Sequence, residues 1–165
     1  MSKHKALLRV DGYAFHQIIT KKYHNCDVEK QIIVVNDELA FLKKSVVNND
    51  YEKGRIYSLQ LGLQEVNSDW YFIQNIDNPF VSESLINQLI NCPKEAEIIQ
   101  AIYKNQKGHP ILISEKVKQE VLKENNYNLT LRDVFSRFEK QQIKVNDNSI
   151  LININTPEDY KKYCH

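Results

Sequence analysis

The feature that most constrains this chain is a largely apolar run, residues 70–76, which ends at the carboxylate of Asp77 and is followed by Pro79. Near-continuous apolar strands occur in sheets that helices cover on both faces, and such sheets bind ligands beyond the carboxyl ends of their strands. We therefore expect a buried strand that delivers Asp77 to the edge of a sheet. A carboxylate there commonly holds a magnesium ion that bridges substrate phosphates, although capping of the following helix would also explain the aspartate.

The composition favours a single globular domain over residues 1–165. Hydrophobic residues make up 42% of the chain and charged residues 26%, and the formal net charge is +1. This balance gives no reason to expect nucleic acid or a membrane as a partner. The chain has no long apolar segment and no signal-peptide pattern, so we expect a cytoplasmic protein. The scattered Cys26, Cys92 and Cys164 predict neither a disulfide framework nor a paired metal site.

Strand-like and helix-like segments alternate along the chain. Apolar residues at helical spacing predict helices over residues 15–23, 39–42, 56–66 and 85–90, and polar caps predict helix starts at Ser82, Ser114 and Thr130. Runs of apolar and β-branched residues predict strands at 32–35, 46–47, 98–103, 111–113 and 150–152, with a turn at 105–108. This order predicts an α/β sandwich with a mainly parallel sheet and one antiparallel excursion between residues 98 and 113.

A second polar signal lies near the end of the chain. Thr156 followed by Pro157 and two acidic residues is typical of a helix start. That start does not explain Asn153 and Asn155, which follow the predicted strand at 150–152. Because they are two residues apart on an extended segment, their side chains should point to the same face. They could bind a cation or form hydrogen bonds with a nucleotide.

Three motifs occur in order along the chain: Asp77-Asn-Pro79, Gly108-His-Pro110, and Asn153-Ile-Asn-Thr-Pro-Glu-Asp-Tyr160. Together they resemble the MobA-like nucleotidyltransferases, which include the molybdenum-cofactor guanylyl- and cytidylyltransferases. The similarity extends to residues 5–8, 11–12 and 58–63, so it covers essentially the whole chain. The resemblance implies a Rossmann-like three-layer fold. It also implies transfer of a nucleoside monophosphate from an NTP to a phosphorylated acceptor, with magnesium and release of pyrophosphate.

The resemblance further implies roles for individual residues. Asp77 would be a catalytic residue and would bind magnesium together with Asn153, although Ile76 stands where the family has a glycine. Lys5 would be catalytic by neutralising phosphate charge. The residues expected at the nucleotide are Ser58, Asn153 and Asn155, and those expected on the acceptor side of the cleft are Gly108, His109 and Pro110.

The donor base and the acceptor stay open at this point. The asparagine pair matches the form of the closing motif found in guanylyltransferase-like members, whereas Gly-His-Pro is more typical of cytidylyltransferase-like members. GTP and CTP are therefore both candidate donors. The acceptor could be molybdopterin or another phosphorylated small molecule, and the number of subunits stays open, with a homo-oligomer as one candidate.

The family pattern and this sequence differ most at the start. Family members begin with an apolar strand and a glycine-rich loop that cradles the triphosphate, whereas this sequence begins at about the end of that loop. We therefore expect an N-terminally truncated domain without its first strand and phosphate loop, in which two strands lack their partner unless another segment or another chain fills the gap. Two interpretations follow: a nucleotidyltransferase whose recorded sequence starts late, or an inactive relative that acts as a binding or assembly module. Codons for a glycine-rich loop upstream of Met1 would favour the first.

Overall fold

The computed structural model describes residues 4–164. Its largest sheet has four strands in the spatial order β5 (Trp70–Ile73), β7 (Gln106–Ser114), β6 (Ile98–Tyr103) and β8 (Lys140–Lys144). β7 pairs antiparallel with both of its neighbours, and β6 and β8 pair in parallel. Three strands therefore run in one direction and β7 runs in the other. This confirms the predicted mainly parallel sheet with an antiparallel excursion between residues 98 and 113.

Two smaller sheets complete the strand inventory of the described chain. β3 (Ile33–Val35) pairs in parallel with β4 (Ser45–Val47), and β1 (Arg9–Val10) pairs antiparallel with β2 (Tyr13–Ala14). Between residues 4 and 164 no strand lies between β3 and β5, so β3 pairs only with β4 and β5 pairs only with β7. The sheets of β3 and β5 are consequently separate.

Helices cover both faces of the four-stranded sheet. On one face, α1 (Phe15–Asn25) and α3 (Glu83–Asn91) share a core with Ile99 and Leu112. On the other face, a second core includes Ile98 and Ile113. The helices that pack there are α2 (Gly54–Gln64), α4 (Glu115–Lys123) and α5 (Leu131–Phe135). Adjacent strand residues thus point into opposite cores, as the pleat of a strand requires, and the result is a three-layer α/β sandwich.

The remaining elements are short. α6 (Pro157–Tyr163) ends the described chain, and 3₁₀ turns form at Lys5–Leu7, Asp37–Leu39, Tyr51–Lys53 and Asn148–Leu151. None of the helices among residues 4–164 is long and apolar enough to cross a membrane.

Predicted helix starts are confirmed by their hydrogen bonds. The side chains of Ser82, Ser114 and Thr130 accept hydrogen bonds from backbone amides in the first turns of α3, α4 and α5. The Thr156 side chain does the same for α6, and the Asp159 carboxylate accepts a hydrogen bond from the Thr156 backbone amide. Each cap satisfies a backbone amide that has no partner within the helix, which is why these polar residues predict helix starts well.

Three predicted elements were wrong. The strand expected to run to Asp77 ends at Ile73, because the Gln74 side chain bonds to the backbone of Asn75 and Asn78 and holds a turn there. Residues 39–42 form no α-helix, since the chain has only a 3₁₀ turn at Asp37–Leu39 before it returns into β4. A strand was also expected at 150–152, but the chain forms the 3₁₀ turn Asn148–Leu151 there. The Asp147 side chain caps this turn by accepting a hydrogen bond from the Ser149 amide.

Candidate functional site

Three segments of the chain meet around Asp77. They are the turn at residues 74–79 after β5, the beginning of β7, and the segment at 150–155 after the last 3₁₀ turn. They enclose a polar cavity of about 460 Å³, called here the small cavity. Its walls include Arg55, Asn75, Asp77, Lys107, His109 and Asn153. The site therefore depends on contacts between segments far apart in the sequence.

Buried amide side chains hold the turn that carries Asp77. Gln74 Nε2 donates to the carbonyl oxygens of Asn75 and Asn78 at 3.0 and 2.9 Å, and the Tyr23 hydroxyl donates to Gln74 Oε1 at 3.1 Å. Asn78 is fully buried, and its Nδ2 donates to the Ile150 carbonyl oxygen at 3.2 Å. These bonds replace the strand ladder beyond Ile73 and join the turn to the C-terminal segment.

Asp77 lies next to two of the residues predicted from the sequence. Lys5 Nζ is 3.3 Å from Asp77 Oδ2 and 2.5 Å from Asn155 Oδ1. The Ile154 amide donates to the Asp77 carbonyl oxygen at 2.8 Å, which fixes the asparagine segment against the turn. The structure thus brings Lys5, Asp77 and Asn155 into direct contact, although 150–155 is not a paired strand.

Two oxygen atoms in the small cavity have no donor. Asp77 Oδ1 and Asn153 Oδ1 are both buried, and neither has a hydrogen-bond partner in the part of the chain that the structure describes. A buried acceptor left unpaired costs roughly 1–3 kcal/mol, more if it is charged. Both residues line the small cavity, so a bound cation could satisfy both oxygens. Carboxylate and amide oxygens suit a hard divalent ion such as magnesium.

The site offers this ion few protein ligands. Residues 4–164 contain no cluster of three or more His, Cys, Asp or Glu side chains that could hold a metal. A closed protein cage, typical of structural zinc, is therefore not present in that range. Magnesium commonly binds through one or two carboxylates plus water and substrate phosphates, and the donor set of Asp77 and Asn153 fits that behaviour.

His109 forms the opposite wall and is mostly buried. Asn75 Nδ2 donates to His109 Nε2 at 2.9 Å, so we assign the neutral tautomer that carries its proton on Nδ1. Burial lowers the pKa of His109 below its usual value, and the nearby Asp77 carboxylate opposes this shift only in part. The imidazole is therefore neutral at physiological pH and serves as a hydrogen-bonding group.

The three residues of the Gly-His-Pro motif occupy different environments in the structure. A Cβ atom on Gly108 would lie 2.3 Å from the Ile150 carbonyl oxygen, so only glycine allows β7 to approach that segment. His109 lines the small cavity. Pro110 is buried and lines neither the small cavity nor the larger one described below.

A second, larger cavity of about 1100 Å³ opens on the other side of Asp77, between β3 and β5. We call it the large cavity. Ser58 lines it from α2, where its Oγ accepts from Asn48 Nδ2 at 2.9 Å and bonds to the Gly54 carbonyl oxygen at 3.2 Å. Asp77, Asn75 and Arg55 line both cavities, so the two meet at the carboxylate. Ser58 is thus near the cleft but not in its polar part.

Sequence reasoning missed several residues of the site. Arg55, Asn75 and Lys107 line the small cavity, and Asn78 fixes its floor. Asn78 lies inside the recognised Asp77-Asn-Pro79 motif, so its position was a usable signal. An exposed arginine in a helix or an exposed lysine in a hairpin carries no such signal, because only the tertiary fold places them beside Asp77.

Most of the chain matches a known protein family. Residues 1–143 match the family described as MobA-like NTP transferase domain. The chain belongs to this family. The MobA-like family consists of metal-dependent nucleotidyltransferases that bind nucleoside triphosphates and phosphorylated acceptors. The match confirms the resemblance carried by the three sequence motifs.

Individual relatives agree with this assignment. A bifunctional enzyme IspD/IspF of Campylobacter hominis is 33% identical over 96 residues, which is 54% of this chain and 26% of that protein. The chain therefore matches about a quarter of the length of this curated relative.

Several solved structures have a fold similar to that of this chain. The structure of Rv0371c from Mycobacterium tuberculosis has a TM-score of 0.84 at 19% identity, covering 98% of this chain and 90% of the other. The same protein has also been solved with manganese, at a TM-score of 0.78 and 18% identity over 97% of this chain and 90% of that one. Molybdopterin-guanine dinucleotide biosynthesis protein A of Archaeoglobus fulgidus has a TM-score of 0.69 at 17% identity, covering 98% and 89%.

Proposed function

We propose that this chain is a nucleotidyltransferase domain that moves a nucleoside monophosphate from GTP or CTP to a phosphorylated acceptor and releases pyrophosphate. The observation that carries the proposal is the pair of buried, donorless oxygens, Asp77 Oδ1 and Asn153 Oδ1, in one polar cavity. A cation that binds together with the substrate would give both buried oxygens a partner. The family assignment supports the same reaction class.

Asp77 and Asn153 would hold Mg²⁺ in this proposal. When bound, the ion supplies Lewis-acid charge that neutralises phosphate oxygens of the donor. Mg²⁺ is chosen over other ions for its preference for oxygen ligands and phosphates, and the manganese complex of Rv0371c supports a divalent cation of this type in the fold.

The chain's own cations support an anionic acceptor. Arg55 and Lys107 line the small cavity, and neither forms an ion pair with another residue between 4 and 164. Both residues line the same polar cavity as Asp77, so a phosphate group bound there would pair with them. A phosphorylated acceptor, for which molybdopterin is one candidate, fits this wall better than a neutral alcohol does.

In the proposed reaction, an acceptor phosphate oxygen attacks the α-phosphorus of the donor. The new phosphoanhydride bond forms as the bond from the α-phosphorus to the bridging oxygen breaks, and pyrophosphate leaves with that electron pair. Lys5, held beside Asp77 and Asn155, would offset phosphate charge during this step. An acceptor phosphate is already ionised at neutral pH, so a neutral His109 is consistent with a reaction that needs no general base.

A second candidate function is a binding or assembly module without catalysis. Two observations favour it. The four glycines within residues 1–165 are scattered, and no cluster of them that could cradle a phosphate lies in this range. Lys5 also already neutralises Asp77 in the structure. In this alternative the cleft would bind a nucleotide weakly or not at all, and the fold would serve another partner.

Calorimetric titration with GTP and with CTP, each with and without Mg²⁺, tests the proposal. Saturable binding that requires Mg²⁺ is expected for one nucleotide and would identify the donor base. The absence of binding by a folded protein would support the binding-module alternative.

The Asp77→Ala variant sharpens this test. We expect it to lose at least about tenfold in Mg²⁺-dependent nucleotide affinity, since among residues 4–164 Asp77 is the only carboxylate that lines the small cavity. The matched control is Asp69→Ala, because Asp69 is an exposed aspartate just before β5 and away from the cavity. Equal affinities in the two variants would remove Asp77 from the metal site.

A further inference from the structure

Two lysines lie side by side along the edge of the four-stranded sheet at which β6 and β8 end. Lys107, near the start of β7, lines the small cavity, and Lys144 is the last residue of β8. In the register of the sheet, Ile102 of β6 pairs with Lys107 on one side and with Lys144 on the other. Directly paired residues of neighbouring strands project from the same face of a sheet. The row Lys107, Ile102 and Lys144 therefore leads away from the small cavity along one face.

This row lies on the face of the sheet that α2 covers. Ile98 packs in the core to which α2 contributes, and β6 pairs with β8 without interruption from Ile98 to Ile102. Ile102, four residues after Ile98, therefore has the same orientation. Arg55, which also lines the small cavity, lies in the first turn of α2. The two lysines thus project toward the side of the sheet from which Arg55 reaches the cavity.

A shift in the register between β6 and β7 produces this arrangement. Gln100 pairs with Ile111, and an unbroken ladder would place His109 opposite Ile102. The register shifts between Gln100 and Ile102, and Lys107 lies opposite Ile102 instead. The shift therefore leaves His109 free to line the small cavity and brings a lysine into the row.

The charges of the row are not balanced by carboxylates of the described chain. None of the ion pairs among residues 4–164 includes Lys107 or Lys144. The acidic residue nearest to Lys144 in the sequence is Asp147. Its two carboxylate oxygens accept hydrogen bonds from the Ser82 hydroxyl at 2.7 Å and from the Ser149 amide at 2.9 Å. Both lysines are exposed, so their ammonium groups are accessible to an anionic ligand.

We propose that Lys107 and Lys144 form a second anion-binding subsite, so that the acceptor carries a further phosphate or carboxylate besides the phosphate that attacks. This inference rests on the proposed function, in which Arg55 and Lys107 bind the attacking phosphate. Neighbouring strands lie about 4.8 Å apart, so the Cα atoms of the two lysines, two strands apart, are separated by roughly 10 Å. Their long, flexible side chains can converge on one anionic group above Ile102, with Lys107 between the two subsites.

The direction of the row assigns it to the acceptor rather than to the donor nucleotide. The strands follow one another across the sheet in the order β5, β7, β6 and β8, and Asp77 follows β5. Ser58, which is predicted at the nucleotide, lines the large cavity between β3 and β5. A nucleotide near Ser58 and Asp77 would therefore lie toward β3, whereas the row extends from the small cavity toward β8. An anion held by Lys144 belongs to the molecule on the acceptor side.

Titration with two matched alkyl phosphates tests the subsite without nucleotide or metal. Butane-1,4-diyl bisphosphate and butyl phosphate have the same carbon chain and differ by one phosphate group. Chemical shifts of the backbone amides, measured by NMR, give both affinities and locate each ligand. We expect the bisphosphate to bind at least about fivefold more tightly, because it gains an exposed ion pair. It should also shift the Lys144 amide, which butyl phosphate should leave unchanged. Equal affinities for the two ligands would overturn the proposal.

A matched pair of variants separates the subsite from general surface charge. Lys104 lies in the same hairpin, but its Nζ lies 5.3 Å over the ring of Tyr103, which packs in the core on the other face. We expect Lys144→Gln to abolish the advantage of the bisphosphate, and Lys104→Gln to keep it. Lys144→Arg, which retains the charge, should also keep most of the advantage. Equal losses in Lys144→Gln and Lys104→Gln would indicate unspecific attraction and would contradict the proposal.

A second arm distinguishes the acceptor from the donor. In the presence of Mg²⁺, Lys144→Gln should bind GTP and CTP as the parent protein does. A loss of nucleotide affinity as large as the loss of bisphosphate affinity would assign Lys144 to the donor and would overturn the proposal. If the parent protein binds no nucleotide, the bisphosphate titration alone decides, because it contains neither NTP nor metal. The subsite and the proposed function can therefore fail independently of each other.

Discussion

The two edges of β5 differ sharply. On one edge, β5 pairs residue for residue with β7, and the turn beyond it is held to the C-terminal segment through Asn78. On the other edge, Trp70 and Phe72 face the large cavity, and the nearest strand, β3, belongs to another sheet. One side of Asp77 is therefore closely packed and polar, and the other is open and apolar.

This difference separates what each side can contribute to function. The packed side supplies fixed side chains, Asp77, Asn153 and His109, for binding charged groups. The open side supplies backbone edges of β3 and β5 and half-buried apolar residues. A substitution should therefore lower the free energy of unfolding more on the packed side, where neighbouring groups cannot move, than on the open side, where they can.

The largest expected effect contrasts two glycines. A Cβ atom on Gly108 would lie 2.3 Å from the Ile150 carbonyl oxygen, whereas one on Gly62 would lie 3.0 Å from Cγ2 of Val34. The first neighbour is backbone in the packed side, and the second is the end of a half-buried side chain. We expect Gly108→Ala to lower the free energy of unfolding by about 3 kcal/mol, since overpacking against backbone forces the two segments apart.

The Gly62→Ala variant is the control for this prediction. Val34 borders the large cavity and has room to shift, and alanine favours the interior of α2 by about 1 kcal/mol over glycine. We expect a change within about 1 kcal/mol of the parent in urea unfolding. Equal losses for the two variants would contradict the contrast between a packed and an open side.

The next effect concerns the buried amide that joins the turn to the C-terminal segment. Asn78→Ala removes the hydrogen bond from Nδ2 to the Ile150 carbonyl oxygen and leaves that acceptor buried without a donor. We expect a loss of about 2 kcal/mol in the free energy of unfolding, together with weaker Mg²⁺-dependent nucleotide binding, because Asp77 is displaced. The exposed Asn128→Ala serves as the control and should change neither quantity.

Local features of the fold were predictable from the sequence because their causes are local. Ser82, Ser114 and Thr130 cap helices through bonds to amides three residues away, so the sequence alone carries the signal. The hairpin between residues 98 and 113 was likewise visible from its two apolar runs and the intervening polar turn. Asp77, Asn153 and Asn155, which the family motifs predict to be site residues, line the small cavity together.

Features that depend on distant contacts could not be predicted in this way. The strand before Asp77 stops at Ile73 because the Gln74 side chain donates hydrogen bonds to two backbone carbonyl oxygens of the following turn. Nothing in the sequence around Gln74 distinguishes it from a strand residue. The sequence motif predicts Gly108 on the acceptor side of the cleft, yet its steric requirement comes from Ile150, more than forty residues away in sequence. Arg55 joins the site only through the packing of α2 beside β5.

The smallest expected effect uses His109 as a pH-sensitive probe of the packed side. Burial lowers the pKa of His109 in the folded protein below its value of about 6.5 in the unfolded chain. Above pH 6.5 or so, both states hold neutral imidazole and the residue contributes no pH dependence. As the pH falls through that value, the unfolded chain takes up the proton first, so stability falls by at most about 1.4 kcal/mol per pH unit until the folded pKa is reached.

Urea unfolding of the parent and of His109→Gln between pH 7.5 and pH 5 measures this effect, because glutamine keeps a polar side chain without titrating. In His109→Gln, the part of the decline in stability that begins near pH 6.5 should be absent. The control variant, His24→Gln at an exposed position, should still show that part of the decline. An identical decline in His109→Gln and the parent would mean that His109 is solvated enough to ionise freely. The His109 wall of the small cavity would then be as open as the β3 side, and the contrast between the two sides would fail at a residue of the proposed acceptor side.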